Sequence, residues 1–183
     1  IDPGALANAG PDAIICSNTV FETQGEITGS FTEGEWSTSG SGLFDDSSNV
    51  NGDPAAIYTP SSDDLLNGSV LLILTSLEPD GPCSVSADTM VLSFSDAATL
   101  SVVSPIEYCI GTTVPLSATP GGSASAVTWP VLSAGGVFSN LTDSTAVYTP
   151  SAIENTENEA IVTVIVEDPD DGGPCLSLSE DIQ

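Results

Sequence analysis

The stretch Ala56-Ile57-Tyr58-Thr59-Pro60-Ser61 returns ninety residues later as Ala146-Val147-Tyr148-Thr149-Pro150-Ser151, with one valine for isoleucine. Landmarks on either side keep the same order. Cys16 answers Cys109 and Trp36 answers Trp129, each 93 residues on; Cys83 answers Cys175 at 92, and Gly42-Leu43-Phe44 answers Gly136-Val137-Phe138. Five matches in one order mark two copies of a unit of about 90 residues, which is the size of a folding domain rather than of a solenoid rung. The first repeat is placed at 1–94 and the second at 95–183.

Within each copy the pattern is β. GSVLLILTSLEP (68–79) and AIVTVIVEDP (160–169) are β-branched and leucine-rich runs bounded by Gly, Pro and Asp, and SADTMVLSF (86–94) alternates. Short strands between turn signals, with no sustained 3.6-residue period, predict an all-β chain of two tandem immunoglobulin-like β-sandwiches. The repeated hexapeptide sits at a corner of that design. Tyr58 and Tyr148 end a strand, and Pro60 and Pro150 cannot donate to a ladder. Ser61 with Asp64, and Ser151 with Glu154, have the spacing of a capping box. One helical turn is expected, closed by Asn67-Gly68 in the first copy and by Asn158 without glycine in the second. The two tyrosines and the two tryptophans are read as core residues, not as ligand-stacking surfaces.

Charge narrows the function classes. The chain has 26 Asp plus Glu and no Lys, Arg or His, for a formal net charge of −26. It has nothing with which to neutralise phosphates, so nucleic acid and anionic membranes are poor partners, while cations and basic surfaces are better ones. There is no imidazole to activate a serine, no lysine for a Schiff base and no guanidinium for phosphoryl transfer. Adjacent carboxylates occur at Asp45-Asp46, Asp63-Asp64 and Asp170-Asp171. Neighbours in a turn are expected to point apart into water, so a paired-carboxylate enzyme is not the expected class. The longest apolar run, Val70 to Leu74, is far short of the roughly 20 residues that span a bilayer, so membrane insertion is not expected. No basic, apolar leader pattern opens the sequence, and the chain reads as a piece of a longer protein. The second copy stops at SEDIQ where the first runs on through TMVLSF, so its final strand is expected to be truncated.

The four cysteines fall two per repeat, an even count that suits an oxidising compartment. Of the three possible pairings, Cys16 with Cys83 and Cys109 with Cys175 alone makes each repeat self-contained. Closing a loop of about 67 residues would stabilise by roughly 4 kcal/mol on the chain-entropy model. Zinc ligation lacks both C-x-x-C spacing and histidine, and free buried thiols are the remaining alternative.

NAGPD before IIC, a tryptophan followed by STSGSGLF, then AIYTPS, GSVLLILTSLEP, GPC and DTMVLSF together resemble the tandem immunoglobulin-like or PKD-like repeats of giant adhesins in gliding bacteria, proteins exported by type IX secretion. The likeness covers nearly the whole chain. It is looser in the second copy, where SVVSPIEYC replaces the NAGPD segment and WPVLSAGGVF replaces WSTSGSGLF. The resemblance implies an extracellular, cell-surface filament of many repeats that presents a distal adhesive region, in some cases during gliding. Its partners would be neighbouring repeats of the same chain, parallel filaments and surface glycans. It also suggests O-glycan acceptors at Thr89 in Asp88-Thr89-Met90 and at Ser144 in Asp143-Ser144-Thr145.

Before each second cysteine lies an acidic turn, EPDGPC (78–83) and EDPDDGGPC (167–175). Glu78 and Asp80, then Glu167, Asp168, Asp170 and Asp171, are candidate ligands for Ca2+, which takes six to eight oxygens. The same residues build any exposed hairpin turn, and neither turn has EF-hand spacing. The leading reading is a stalk segment of a secreted surface adhesin. The alternative is a spacer or carbohydrate-binding module of a secreted polysaccharide-degrading enzyme, which would need solvent-facing Trp36 or Trp129.

Overall fold

Side-chain alternation against a shared interior builds each unit. The computed structural model describes residues 4–29, 32–45, 48–49 (backbone only), 56–77, 85–103, 107–130, 135–167 and 169–183. The chain divides into two units, Ile1–Ser95 and Asp96–Gln183.

In the first unit the strands are β1 (Leu6–Asn8), β2 (Ala13–Cys16), β3 (Phe21–Glu22), β4 (Glu26–Thr28), β5 (Gly34–Thr38), β6 (Leu43–Phe44), β7 (Ser48–Asn49) and β8 (Ile57–Thr59). Helix α1 (Ser62–Asn67) follows, then β9 (Ser69–Ser76) and β10 (Ala87–Ser95). They form a five-stranded sheet in the order β2-β10-β9-β5-β7, a three-stranded sheet β3-β8-β6, and the pair β1-β4. Strand β9 shows why the apolar run becomes a central strand over residues 69–76. Val70, Leu72, Leu74 and Ser76 point inward and are buried, while the intervening positions are partly or fully exposed. Trp36 stands opposite Leu74 across β5, and Met90 opposite Leu72 across β10. The two buried hydroxyls on this core are engaged: Ser76 Oγ accepts from Ser86 N at 2.9 Å, and Thr23 Oγ1 accepts from Ala56 N at 2.8 Å.

The second unit comprises β11 (Ala98–Val103), β12 (Val114–Gly122), β13 (Val127–Thr128), β14 (Val137–Phe138) and β15 (Thr145–Thr149), then α2 (Ala152–Glu157), β16 (Val162–Val166) and β17 (Leu178–Ile182). A four-stranded sheet β11-β12-β15-β14 and a three-stranded sheet β13-β16-β17 enclose a core around Leu116, Trp129, Tyr148 and Val164. Strand β16 repeats the rule, with Val162, Val164 and Val166 buried. The two units differ at one edge. In the first, β2 runs parallel to the last half of β10, pairing Ala13 with Leu92 and Cys16 with Ser95. In the second, residues 107–109, which follow from the Cys16 to Cys109 match, form no strand.

Candidate functional site

The repeated hexapeptide builds the same polar corner twice. In the first unit Ser61 adopts extended backbone (φ −83°, ψ 166°) and caps α1: its hydroxyl accepts from Asp64 N at 3.1 Å, and Asp64 returns a bond from Ser61 N at 2.9 Å. Asp64 is then carried inward, 1% exposed, where Tyr58 Oη donates to its Oδ2 at 2.8 Å. Ser41 N (3.0 Å) and Gly42 N (2.8 Å) complete the carboxylate's shell. With the phenol proton committed to Asp64, the Thr38 hydroxyl donates to Tyr58 Oη at 3.2 Å.

The second unit keeps the corner with a longer acid. Tyr148 Oη donates to Glu154 Oε1 at 2.5 Å, and Ser151 N donates to Oε2 at 2.6 Å. Here the amide of Gly136 donates to the phenol oxygen at 2.6 Å. A Cβ on Gly42 would strike Tyr58 Oη and the Thr59 carbonyl, and one on Gly136 would strike the Thr149 carbonyl, so the glycine of each matched GLF or GVF segment is a steric requirement of the corner.

Electrostatics follow from this geometry. Burial pushes the Asp64 carboxyl upward, but backbone donors from Ser61 and Ser41, with the Tyr58 and Ser61 hydroxyls, outweigh it and hold the group down to about 2. Glu154 is lowered for the same reasons, against the same burial. Tyr148 is pushed up to about 12, first by burial and then by its bond to Glu154; Tyr58 is raised too, chiefly by burial. A carboxyl held near 2 has the wrong poise for a general acid at neutral pH. Asp63 is exposed whereas Asp64 is buried, so this adjacent pair does not face water together. That corrects the expectation for Asp64. The S-x-x-D spacing was visible in sequence; the tyrosine six residues earlier, reaching back to the same carboxylate, was the part missed.

The aromatics serve the interior. Trp36 is 2% exposed and Trp129 0%. Each lies near a phenylalanine that in turn meets the corner tyrosine: Trp36, Phe44 and Tyr58 in one unit, Trp129, Phe138 and Tyr148 in the other, with both Phe–Tyr centroid distances at 4.9 Å. Neither tryptophan offers a face to a sugar.

The cysteines depart from expectation. Cys109 is an exposed free thiol, so the Cys109 with Cys175 bond is not formed. Cys16 and Cys175 are each disulfide-bonded, and Cys83 lies outside the described residues. Cys109 sits in a turn where its carbonyl accepts from Thr112 N and Oγ1, at 3.0 and 2.6 Å, and this turn leaves the thiol in solvent. Equal treatment of both repeats, the basis of the expected pairing, is not a constraint that sulfur chemistry obeys.

Of the acidic turns, Glu78, Asp80 and Asp168 lie outside the described residues. Glu167 Oε1 accepts from Thr128 Oγ1 at 3.0 Å and Asp170 Oδ2 from Cys175 N at 3.2 Å, while Asp171 is exposed with φ of 51°. Among the described residues no three acidic or sulfur side chains converge as a metal-holding group. Thr89, on β10, and Ser144, in the turn before β15, are both exposed; the preceding acids are engaged, Asp88 Oδ2 by Ala9 N at 2.8 Å and Asp143 Oδ2 by Asn140 Nδ2 at 2.6 Å.

No protein-family model matches the chain, and no curated protein does. Solved structures do. The N-terminal eight Ig domains of Down Syndrome Cell Adhesion Molecule (DSCAM) align over 97% of this chain at 10% identity with a TM-score of 0.55. This chain spans 27% of that one. Immunoglobulin domains 1–4 of Sidekick-1 align over 97% of this chain and 48% of theirs, at 11% identity and a TM-score of 0.43. The DSCAM likeness establishes the fold: the chain is all-β and built of immunoglobulin-like sandwich domains.

Proposed function

We propose that this chain is a stalk segment of a large secreted, filamentous cell-surface adhesin, serving surface attachment and, in line with the family it resembles in sequence, gliding motility with export by type IX secretion. Its role is to space and present and not to catalyse. The observation that carries the reading is the repetition itself. The same immunoglobulin-like unit, with the same aromatic triplet and the same Tyr–carboxylate corner, is built twice along one chain. Duplicating a unit whose described aromatics and buried acids face inward adds length and surface without adding a reactive centre. Disulfide-bonded Cys16 and Cys175 suit an oxidising, extracellular setting. The exposed acids, unmatched by any basic residue, suit a surface that repels its neighbours. Exposed Thr89 and Ser144 are proposed as the glycan acceptors.

The test is electron microscopy of the secreted parent protein. A filament beaded at about 35–45 Å, the length of one sandwich from strand dimensions and turns, is the expected result. A single globular particle with a short tail would overturn the stalk reading in favour of a module carried by an enzyme.

A further inference from the structure

In a chain of net charge −26, one sheet carries no acid at all: none of the strands β11, β12, β14 and β15 contains Asp or Glu. Alternation turns Val114, Leu116, Ala146 and Tyr148 into the core of the second unit and leaves the residues between them on the outer face. There Pro115 stands opposite Val147, Ser117 opposite Thr145 and Val137 opposite Thr149. Val137 is 62% exposed and Val147 40%. Asp96 and Asp143 precede β11 and β15 and lie outside the strands.

The first unit is the internal comparison, and it carries acids at two of the matching places. Glu22 stands opposite Ile57 as Pro115 stands opposite Val147. Asp45 donates its amide to Ile57 O at 3.0 Å and accepts from Ile57 N through Oδ1 at 2.8 Å. Ser139 makes the same two bonds to Val147, at 2.9 and 3.0 Å, with a neutral hydroxyl in place of the carboxylate. The apolar pair survives in both units, Leu43 with Ile57 and Val137 with Val147, so the second face differs in having lost its charge. The other sheet of the second unit keeps acids, Glu167 bonded to Thr128 and Asp181 bonded to Thr163.

Charge selects the occupant. A basic partner gains nothing from a neutral face, and a sugar would need an aromatic platform that these outward side chains do not supply. A second acidic copy is repelled by the carboxylate-bearing surfaces but not by this one. We infer that the outer face of β11-β12-β15-β14 is a self-association surface, meeting the same face of a second copy about a two-fold axis. Four strands about 4.8 Å apart and five residues of about 3.4 Å give a patch of roughly 20 by 17 Å, several hundred Å² from each partner, which is the size of a weak, reversible contact.

The test is sedimentation equilibrium of the full chain from about 10 μM to about 1 mM, in EDTA and with Cys109 capped by N-ethylmaleimide to prevent disulfide and metal bridging. Self-association is expected to strengthen from 10 to 150 mM NaCl as the remaining acids are screened. Pro115→Glu with Ser139→Asp places in the second unit the charges that the first unit folds with, and should weaken association at least about 10-fold. Val137→Asp, at an exposed site, should act in the same direction. The same two added charges at exposed Leu176 and Ser177, outside this sheet, should change it less than about 2-fold. A chain that stays monomeric across the whole range would overturn the proposal. So would equal weakening by the two double variants, since net charge and not this face would then govern association.

Discussion

At the scale of single residues, the buried carboxylates make the sharpest prediction. Asp64 is held near 2 in the folded chain and titrates near 4 when unfolded. A depressed carboxyl contributes stability that is present above pH 4 and is lost as pH falls toward 2, a contribution on the order of 2 kcal/mol. General relief of acid–acid repulsion acts the other way on acidification, but it is common to wild type and variant. Asp64→Asn should therefore destabilise the first unit by about 2–4 kcal/mol at pH 7, because an amide nitrogen would face backbone donors. The gap between the two proteins should close between pH 4 and pH 2. Urea denaturation followed by Trp36 fluorescence checks both claims, and a gap independent of pH would refute the assignment. Tyr148 behaves as the mirror case: its raised value means stability fully present below pH 10 and lost as pH rises through about 12. Tyr148→Phe should flatten that alkaline limb. Cys109, exposed and free, should react with a maleimide before reduction, while Cys16 and Cys175 should react only after it. Mass spectrometry of the labelled peptides decides this.

At the scale of elements, the two short helices end alike with different residues. Gly68 closes α1 at φ of 75° and Asn158 closes α2 at φ of 58°, both left-handed. Glycine accepts this conformation without Cβ strain and asparagine tolerates it at some cost. Nothing lies within 4 Å of a Cβ built on Gly68, so only backbone strain distinguishes the residues there. Asn158→Gly should stabilise the second unit by about 0.5–1 kcal/mol, and Gly68→Ala should destabilise the first by about 1 kcal/mol. Thermal melts of the two variants should thus shift in opposite directions. Shifts of the same sign would show that the cap conformation is not what these residues contribute.

At the scale of the whole molecule, 26 acidic side chains and no basic ones make self-repulsion unavoidable. The charges in the folded units are held closer together than in the unfolded chain, so screening should favour folding. Raising NaCl from 10 to 150 mM shortens the Debye length from about 30 to about 8 Å and should raise the melting midpoint of both units. Association between copies of the chain should likewise require salt or divalent cations. Salt-independent melting would mean that the carboxylates are neutralised in some other way.

Amino-acid order alone was enough for the repeat, the β class, the capping boxes and the burial of Trp36, Trp129, Tyr58 and Tyr148. All of these rest on local rules: period-two alternation, cap chemistry within three residues, and the size of an aromatic that has to leave water. What tertiary structure decided depends on distance between residues far apart in the chain. The descent of Asp64 into the core beneath Tyr58 requires the Ser41-Gly42 turn to arrive with its amides, and no local pattern announces that meeting. The free thiol at Cys109 likewise depends on where a turn leaves its sulfur and not on the spacing of cysteines. Local propensity determines which segments become strands and corners, whereas long-range packing determines which polar atoms and apolar surfaces are left to be satisfied.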